Sequence, residues 1–375
     1  MKLLQTKFKK FLKSDTVLLI AGIIAIFSMF FVPPSKEYFS YIDFRVLCLL
    51  FCLMAVIAGF NKTGVFLLLS KKLLHKVSTT RSLCYVLIML CFFTSMWITN
   101  DVALITFVPF TILLLAMTGQ SKHLIYVIVL QTIAANLGSI LTPIGNPQNL
   151  YLYSYYKVPI IEFFRITLPI TLISFVLLSS TVLLIKKETL IFTQPRNEKI
   201  NTVHWFNIGF YSILFLFCLC SVLHLIDYRT TLIIVILCTL VFDRNTLKSV
   251  DYSLLLTFLC FFIFVGNIGN ITMIQDYLAN LIKARELLVS IILSQGISNV
   301  PAAVLLSTFT KDYKALILGT NLGGLGTLVA SLASLISYKF YCKTKDAKPL
   351  KYLCIFTLYN FILLALLCVF VLITT

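Results

Sequence analysis

Long apolar runs dominate the chain, and their lengths are those of membrane spans rather than of a soluble core. Runs at 17–32, 44–60, 83–117, 124–139, 160–185, 206–225, 230–242, 254–269, 287–309, 315–337 and 353–373 cover most of the 375 residues. Many approach the ~20 residues with which an α-helix crosses a bilayer. The polar interruptions inside these runs are more telling than the runs themselves. Thr99-Asn100-Asp101 and Ser298-Asn299-Val300 each sit between two apolar arms, and each is followed by a second break built on Asn-Leu-Gly, at 134–149 and 319–334. A weaker echo precedes each pair, at 58–66 and 265–273, before a short amphipathic piece. Three landmarks in the same order predict one unit written twice, and paired interruptions in two halves point to a secondary transporter's binding site.

Composition agrees. With 59% hydrophobic and 12% charged residues, the charged fraction is about half that of a soluble domain. An all-α polytopic membrane protein is expected, an inverted-topology repeat with two re-entrant hairpins and two broken transmembrane helices. No stretch remains for a soluble domain. The net charge of +17 could suggest a nucleic-acid partner, but the basic residues lie in short connections between spans, as topology signals do. No nucleic acid is expected; membrane lipid is. The basic N-terminus lacks a small-x-small cleavage pattern, so a retained first helix is expected.

Charge also sorts the topology. If 83–117 and 287–310 are hairpins that enter and leave on one side, nine full crossings remain, and an inner N-terminus puts 22 of the 31 Lys and Arg inside. The inner clusters run from Lys2 to Lys13, Lys62 to Arg81, and Lys339 to Lys351, whereas Lys36, Arg45, Lys157, Arg165 and Lys314 fall outside. This is the direction of the positive-inside rule. It gives a first repeat at 1–186, with its hairpin at 83–117 and broken span at 124–155. A linker with an extra transmembrane helix follows at 187–228, then a second repeat at 229–375 with hairpin 287–310 and broken span 313–338. The N-terminus is then cytoplasmic and the C-terminus outside, in what is expected to be a bacterial plasma membrane.

Non-helical backbone at membrane depth persists only where it lines a polar cavity or is buried in protein. Both tips and both breaks are therefore expected to meet near the midplane. Asp101 is an ionisable group at that depth, functional by default, although Asn100 or Asp101 could instead cap a half-helix starting at Val102. Thr99, Asn100, Ser298 and Asn299 offer side-chain oxygens to a small hard cation, while exposed helix N-termini favour an anion. In the first break Asn136, Ser139, Thr142, Gly145, Asn146 and Pro147 free carbonyls and amides for a ligand. In the second, Asn321, Gly323, Gly326, Thr327 and Ser331 keep that polar, small-residue character, which would also serve close helix packing. A site for Na+ is expected at Asn100, Asp101, Gly145 and Asn299. The eleven cysteines and four histidines show no metal-ligand spacing and are assigned no chemistry; no cofactor is expected beyond Na+ or H+ as coupling ion.

At these residues the chain resembles the ion transporter superfamily, which includes divalent-anion/sodium symporters, citrate transporters, arsenite permeases and one class of Na+/H+ antiporter. Thr99-Asn100-Asp101 and Ser298-Asn299-Val300 stand where the anion symporters carry Ser-Asn-Thr tips, and 144–149 is similar to their Ile-Gly-Thr-Pro-Pro-Asn segment. The resemblance implies an inverted-repeat elevator carrier, a homodimer, with sodium and substrate at the paired tips. The third tip position is Asp101 in one repeat and Val300 in the other, a departure from the paired threonine. The stretch 326–334 is closer to the Gly-Ser-Leu-Ala-Thr segment of arsenite permeases. The leading expectation is a secondary active transporter of a small anion, a di- or tricarboxylate, coupled to Na+ or H+ by alternating access. The alternatives are an arsenite/antimonite permease, with an oxyanion substrate, or a Na+/H+ antiporter. No nucleophile–base or metal constellation supports an enzyme.

Overall fold

The computed structural model describes residues 16–65, 77–190, 205–271 and 282–374. The basic N-terminus from Lys2 to Lys13, Lys71, Lys72, Lys76, Arg196, Lys199 and the amphipathic pieces expected after 66 and 273 lie outside the described residues.

The protein is an all-α polytopic membrane protein. Its first half contains α1 (Thr16–Met29), α2 (Phe44–Lys62), α3 (Thr80–Thr94), α4 (Asn100–Met117), α5 (Leu124–Gly138), α6 (Pro147–Tyr155) and α7 (Ile160–Leu183). Then come α8 (Trp205–Val222), α9 (Tyr228–Phe242), α10 (Tyr252–Gly269), α11 (Glu286–Ile297), α12 (Asn299–Ser307), α13 (Tyr313–Gly323), α14 (Leu332–Cys342) and α15 (Pro349–Thr374). Among the described residues 7 helical segments are long and apolar enough to cross a membrane, and α1, α3, α9 and α11 are shorter apolar helices. The only β-pairing among these residues is an isolated bridge between Thr79 and Thr189.

Local chemistry starts the helices where the polar punctuation stands. Asp43 caps α2 by accepting from the Val46 N–H, and Asp251 caps α10 in the same way from Leu254, satisfying donors that a helix start leaves orphaned. Thr79 and Ser82 form a reciprocal capping box on α3. Asn146 caps α6 through the Asn149 N–H, with Pro147 at the first position, where its missing N–H costs nothing.

The outer surfaces of α1, α8 and α9 expose Ile23, Phe27, Phe206, Ile213, Ile233 and Leu237, a lipid-grade surface that water would penalise. Helix pairing runs crosswise between the halves. α1 packs on α10 and α2 on α9, while α4 packs on α14 and α12 on α6. Within each half α3 lies along α5 and α11 along α13. Here the glycines of the two Asn-Leu-Gly sequences permit close approach: a Cβ on Gly138 would overlap the Phe92 carbonyl, and one on Gly323 would lie 2.6 Å from the Ser294 Cβ. The upstream echo serves packing, with Asn61 accepting from Thr106 on α4 and Asn267 donating to Ser28 and Tyr38.

Among the described residues three ion pairs close connections at the helix ends: Lys62 with Asp243 at 3.2 Å, Lys122 with Glu188 at 2.8 Å, and Lys314 with Glu162 at 3.2 Å. Each joins connections that the charge count assigns to one face. As solvent-exposed pairs they add little to stability.

Candidate functional site

Each polar tip is pinned to the break of its own half. Between α3 and α4 the chain turns through 95–99, and the Asn100 N–H donates to the Gly145 carbonyl at 3.0 Å. Between α11 and α12 the turn is a single residue, Ser298, at φ 76° and ψ 155°, and the Asn299 N–H donates to the Ala330 carbonyl at 3.0 Å. α5 ends at Gly138 and α6 begins at Pro147, while α13 ends at Gly323 and α14 begins at Leu332. The sequence-predicted breaks are thus real interruptions.

Asparagine side chains then stitch one half to the other. Asn136 on α5 accepts from Asn100 Nδ2 at 3.0 Å and from Ser331 Oγ at 3.1 Å, and donates to the Gly324 carbonyl at 3.4 Å. Asn321 on α13 accepts from Asn146 Nδ2 at 3.0 Å and donates to Asn149 Oδ1 at 2.6 Å. Asn146 also donates to Ser139 Oγ at 3.0 Å. Asn149 Nδ2 holds the loop by donating to the carbonyls of Ser139, Ile140 and Thr142. Every one of these side chains is at most 5% exposed. Buried amides survive at such depth because they are paired.

Two spaces abut this network. A cavity of about 330 Å³ is lined in part by Thr99, Asp101, Asn146, Pro147, Asp251 and Lys339. A much smaller pocket lies between the tips, against Asn100, Asp101, Pro147, Asn299, Val300 and Ser331. Asp101 borders both.

A side-chain cap from Asn100 or Asp101 on a helix starting at Val102, the alternative role, is not made. The helix begins at Asn100 rather than Val102, its N-cap is Thr99 without a side-chain bond, and the Asp101 carboxylate accepts no hydrogen bond among the described residues. Asn100 Oδ1 instead accepts the Asp101 N–H at 3.0 Å. Thr99 starts the helix through backbone geometry alone, which leaves Asp101 in the first turn facing the open space.

Not every residue expected at the site borders a space. Thr142 Oγ1 donates to the Met96 carbonyl, tying the break to the turn before the tip. Gly323, Gly326 and Thr327 gather around Gln295, which sequence reasoning passed over. Gln295 Nε2 donates to the carbonyls of Gly323 and Leu325, and its Oε1 accepts the Thr327 N–H at 2.8 Å. Asn149 was legible only as part of its motif, and Lys339 only as a topology residue.

A bundle of lipid-facing apolar helices around a buried, uncharged polar centre with two broken helices defines a membrane transporter of the secondary-carrier class. The chain belongs to the citrate transporter family, which matches it over residues 4–313. It is 33% identical over 333 residues to an uncharacterized transporter of Methanocaldococcus jannaschii, covering 88% of each chain. Over 339 residues it is 30% identical to the inner membrane protein YbiR of Escherichia coli, covering 88% of this chain and 89% of that one. A shorter likeness, 31% over 141 residues, links 38% of this chain to 29% of a silicon efflux transporter of Oryza sativa subsp. japonica. The family places the protein among transporters rather than enzymes, and no group of three or more His, Cys, Asp or Glu among the described residues could hold a metal ion.

Proposed function

We propose that the protein is a secondary active carrier of a small anion, a di- or tricarboxylate, driven by Na+ or H+ through alternating access. The carrier is built as an inverted-topology pair, 1–186 and 229–375, with the re-entrant hairpins 83–117 and 287–310 meeting at the membrane midplane and α8 as the odd helix between them. The crosswise packing of α1 on α10 against α2 on α9, and of α4 on α14 against α12 on α6, supports that reading. So does the charge count, with its inner N-terminus and outer C-terminus. Substrate binds between the tips, where the N-termini of α4 and α12 favour negative charge. The coupling ion sits at Asn100, Asp101, Gly145 and Asn299, and the working unit is a homodimer.

The observation that carries the reading is the small pocket in which both tips meet residues of both breaks, with an ionisable Asp101 shared between it and the 330 Å³ cavity. Purified protein in liposomes tests it. Labelled citrate and succinate should accumulate when an inward Na+ or H+ gradient is imposed, and not without one. No carboxylate flux under either gradient would sink the reading.

A second reading, export of a neutral or weakly acidic oxyacid such as arsenite, draws on the partial likeness to a silicon efflux transporter and on tips free of Lys and Arg. Arsenite efflux from the same liposomes, without carboxylate flux, would select it. Sodium-driven proton release with no anion present would instead select Na+/H+ antiport.

A further inference from the structure

Leu332, Leu335, Ile336 and Lys339 of α14 all line the 330 Å³ cavity. Their spacing is that of one helical face, so the wall is a stripe along α14 that starts beside the tips. Leu332 borders the small pocket between the tips as well. Lys339 stands seven residues further on, ~10 Å along the helix. Helical side chains lean back towards the N-terminus, and a lysine stem lies on apolar surface while its head stays wet. Lys339 therefore lines the same face of α14 as Leu335 and Ile336, with the tips at that helix's N-terminal end and its ammonium open to the cavity.

Its charge is uncommitted. Among the described residues Lys339 is the one Lys or Arg on the cavity wall, and no ion pair or hydrogen bond holds its ammonium. The other charged groups that the described residues place on that wall are Asp101 on α4 and Asp251 at the start of α10, both repulsive to an anion. The matching position in the other half is Ser154, as far beyond Asn146 as Lys339 is beyond Ser331, and it is buried. Only one of the two half-helices that follow the breaks thus offers a cation to an open space.

We propose that Lys339 is the specificity-determining contact for the second carboxylate of a di- or tricarboxylate whose first carboxylate lies at the tips. The inference rests on the anion-carrier reading and deepens it. A monocarboxylate fills the tip position alone, and a neutral oxyacid has no use for Lys339. An anion with two carboxylates a few ångströms apart spans both positions, and the ammonium offsets the repulsion of Asp101 and Asp251.

The test compares wild type, Lys339→Gln and Lys339→Arg in liposomes, with succinate, citrate and lactate as substrates. Because Lys339 is exposed, the variants should fold, and thermal melting of each verifies that. Lys339→Gln should raise KM for succinate and citrate about tenfold with Vmax within about twofold of wild type, the signature of lost binding rather than lost turnover. The KM for lactate should move far less, and Lys339→Arg should restore most of the dicarboxylate affinity. An unchanged dicarboxylate KM in Lys339→Gln would overturn the proposal. So would an equal rise for all three substrates, or a rise abolished by high salt, since steering of charge at a distance is screened. Absence of carboxylate flux by wild type would overturn the anion-carrier reading itself, and this inference with it.

Discussion

Asn136 and Asn321, the asparagines of the two Asn-Leu-Gly sequences, each bond to the break of the opposite half: Asn136 to Gly324 and Ser331, Asn321 to Asn146 and Asn149. Asn321 also donates to the Ile317 carbonyl one turn back on α13, but the bonds that cross to the other half exist only when both halves are docked. It makes the two breaks one polar unit. A buried amide removed from such a unit leaves its partners unpaired, at a cost of about 1–3 kcal/mol for each orphaned group.

Truncating either asparagine should therefore cripple transport without abolishing folding. Asn136→Ala frees Asn100 Nδ2 as well as Ser331 Oγ, so it should be the more damaging of the two, lowering uptake by about tenfold or more at equal membrane abundance. Asn321→Ala should follow with a somewhat smaller loss. Uptake within twofold of wild type in both variants would remove the exchange from the mechanism.

The glycine before each break makes a steric prediction. At Gly138 an added Cβ meets the Phe92 carbonyl, a backbone group that cannot move aside. Gly138→Ala should lower the melting temperature by several degrees and separate α5 from α3, since overpacking costs about 1–3 kcal/mol. Gly296 has nothing within 4 Å of its Cβ position, so Gly296→Ala should fold normally. Equal stability of the two variants would contradict the packing of α3 on α5.

Much of this site was legible in the chain because polar residues inside apolar runs are conspicuous. The tips at Asn100 and Asn299 and the breaks after Gly138 and Gly323 all stand where the interruptions predict. What escaped depends on tertiary contact. Gln295 looks like an ordinary polar residue in an amphipathic arm, and only the fold brings the carbonyls of Gly323 and Leu325 to it. Lys339 looks like a topology signal at the end of a span, because a lysine stem pattern does not say whether its helix borders lipid, protein or a cavity. The helix start at Asn100 differs from the expected Val102 for a related reason. Backbone geometry at Thr99 starts α4 with no side-chain cap, and residue type carries no mark of that.

Backbone strain at the second tip yields a prediction of opposite sign. Ser298, with φ 76° and ψ 155°, occupies a region almost reserved for glycine, at a cost of roughly 1–3 kcal/mol. Its hydroxyl bonds are long, 3.4 Å to Asn299 and 3.3 Å to Ala330, so little is lost with them. Ser298→Gly should melt at or slightly above the wild-type temperature, and Ser298→Val several degrees below it. A melting order with valine above glycine would mean that the tip adopts another conformation.

At Asp101, a capping role and a coupling role predict different things. A carboxylate that only capped α4 would be replaced by asparagine with a small loss of stability, because the amide oxygen still accepts a hydrogen bond. The structure gives the carboxylate no such bond, and sets it instead on the border of both the cavity and the pocket between the tips. Asparagine there preserves shape but removes the charge and the exchangeable proton. Asp101→Asn should accordingly fold, reach the membrane and melt near the wild-type temperature. It should lose accumulation driven by an Na+ or H+ gradient while retaining downhill exchange of substrate across the liposome membrane. Counterflow of labelled substrate measures the exchange, and uptake against a gradient measures the coupling. If Asp101→Asn still concentrates substrate with the wild-type dependence on Na+ and pH, the coupling ion is held elsewhere and Asp101 serves only the local structure of the tip.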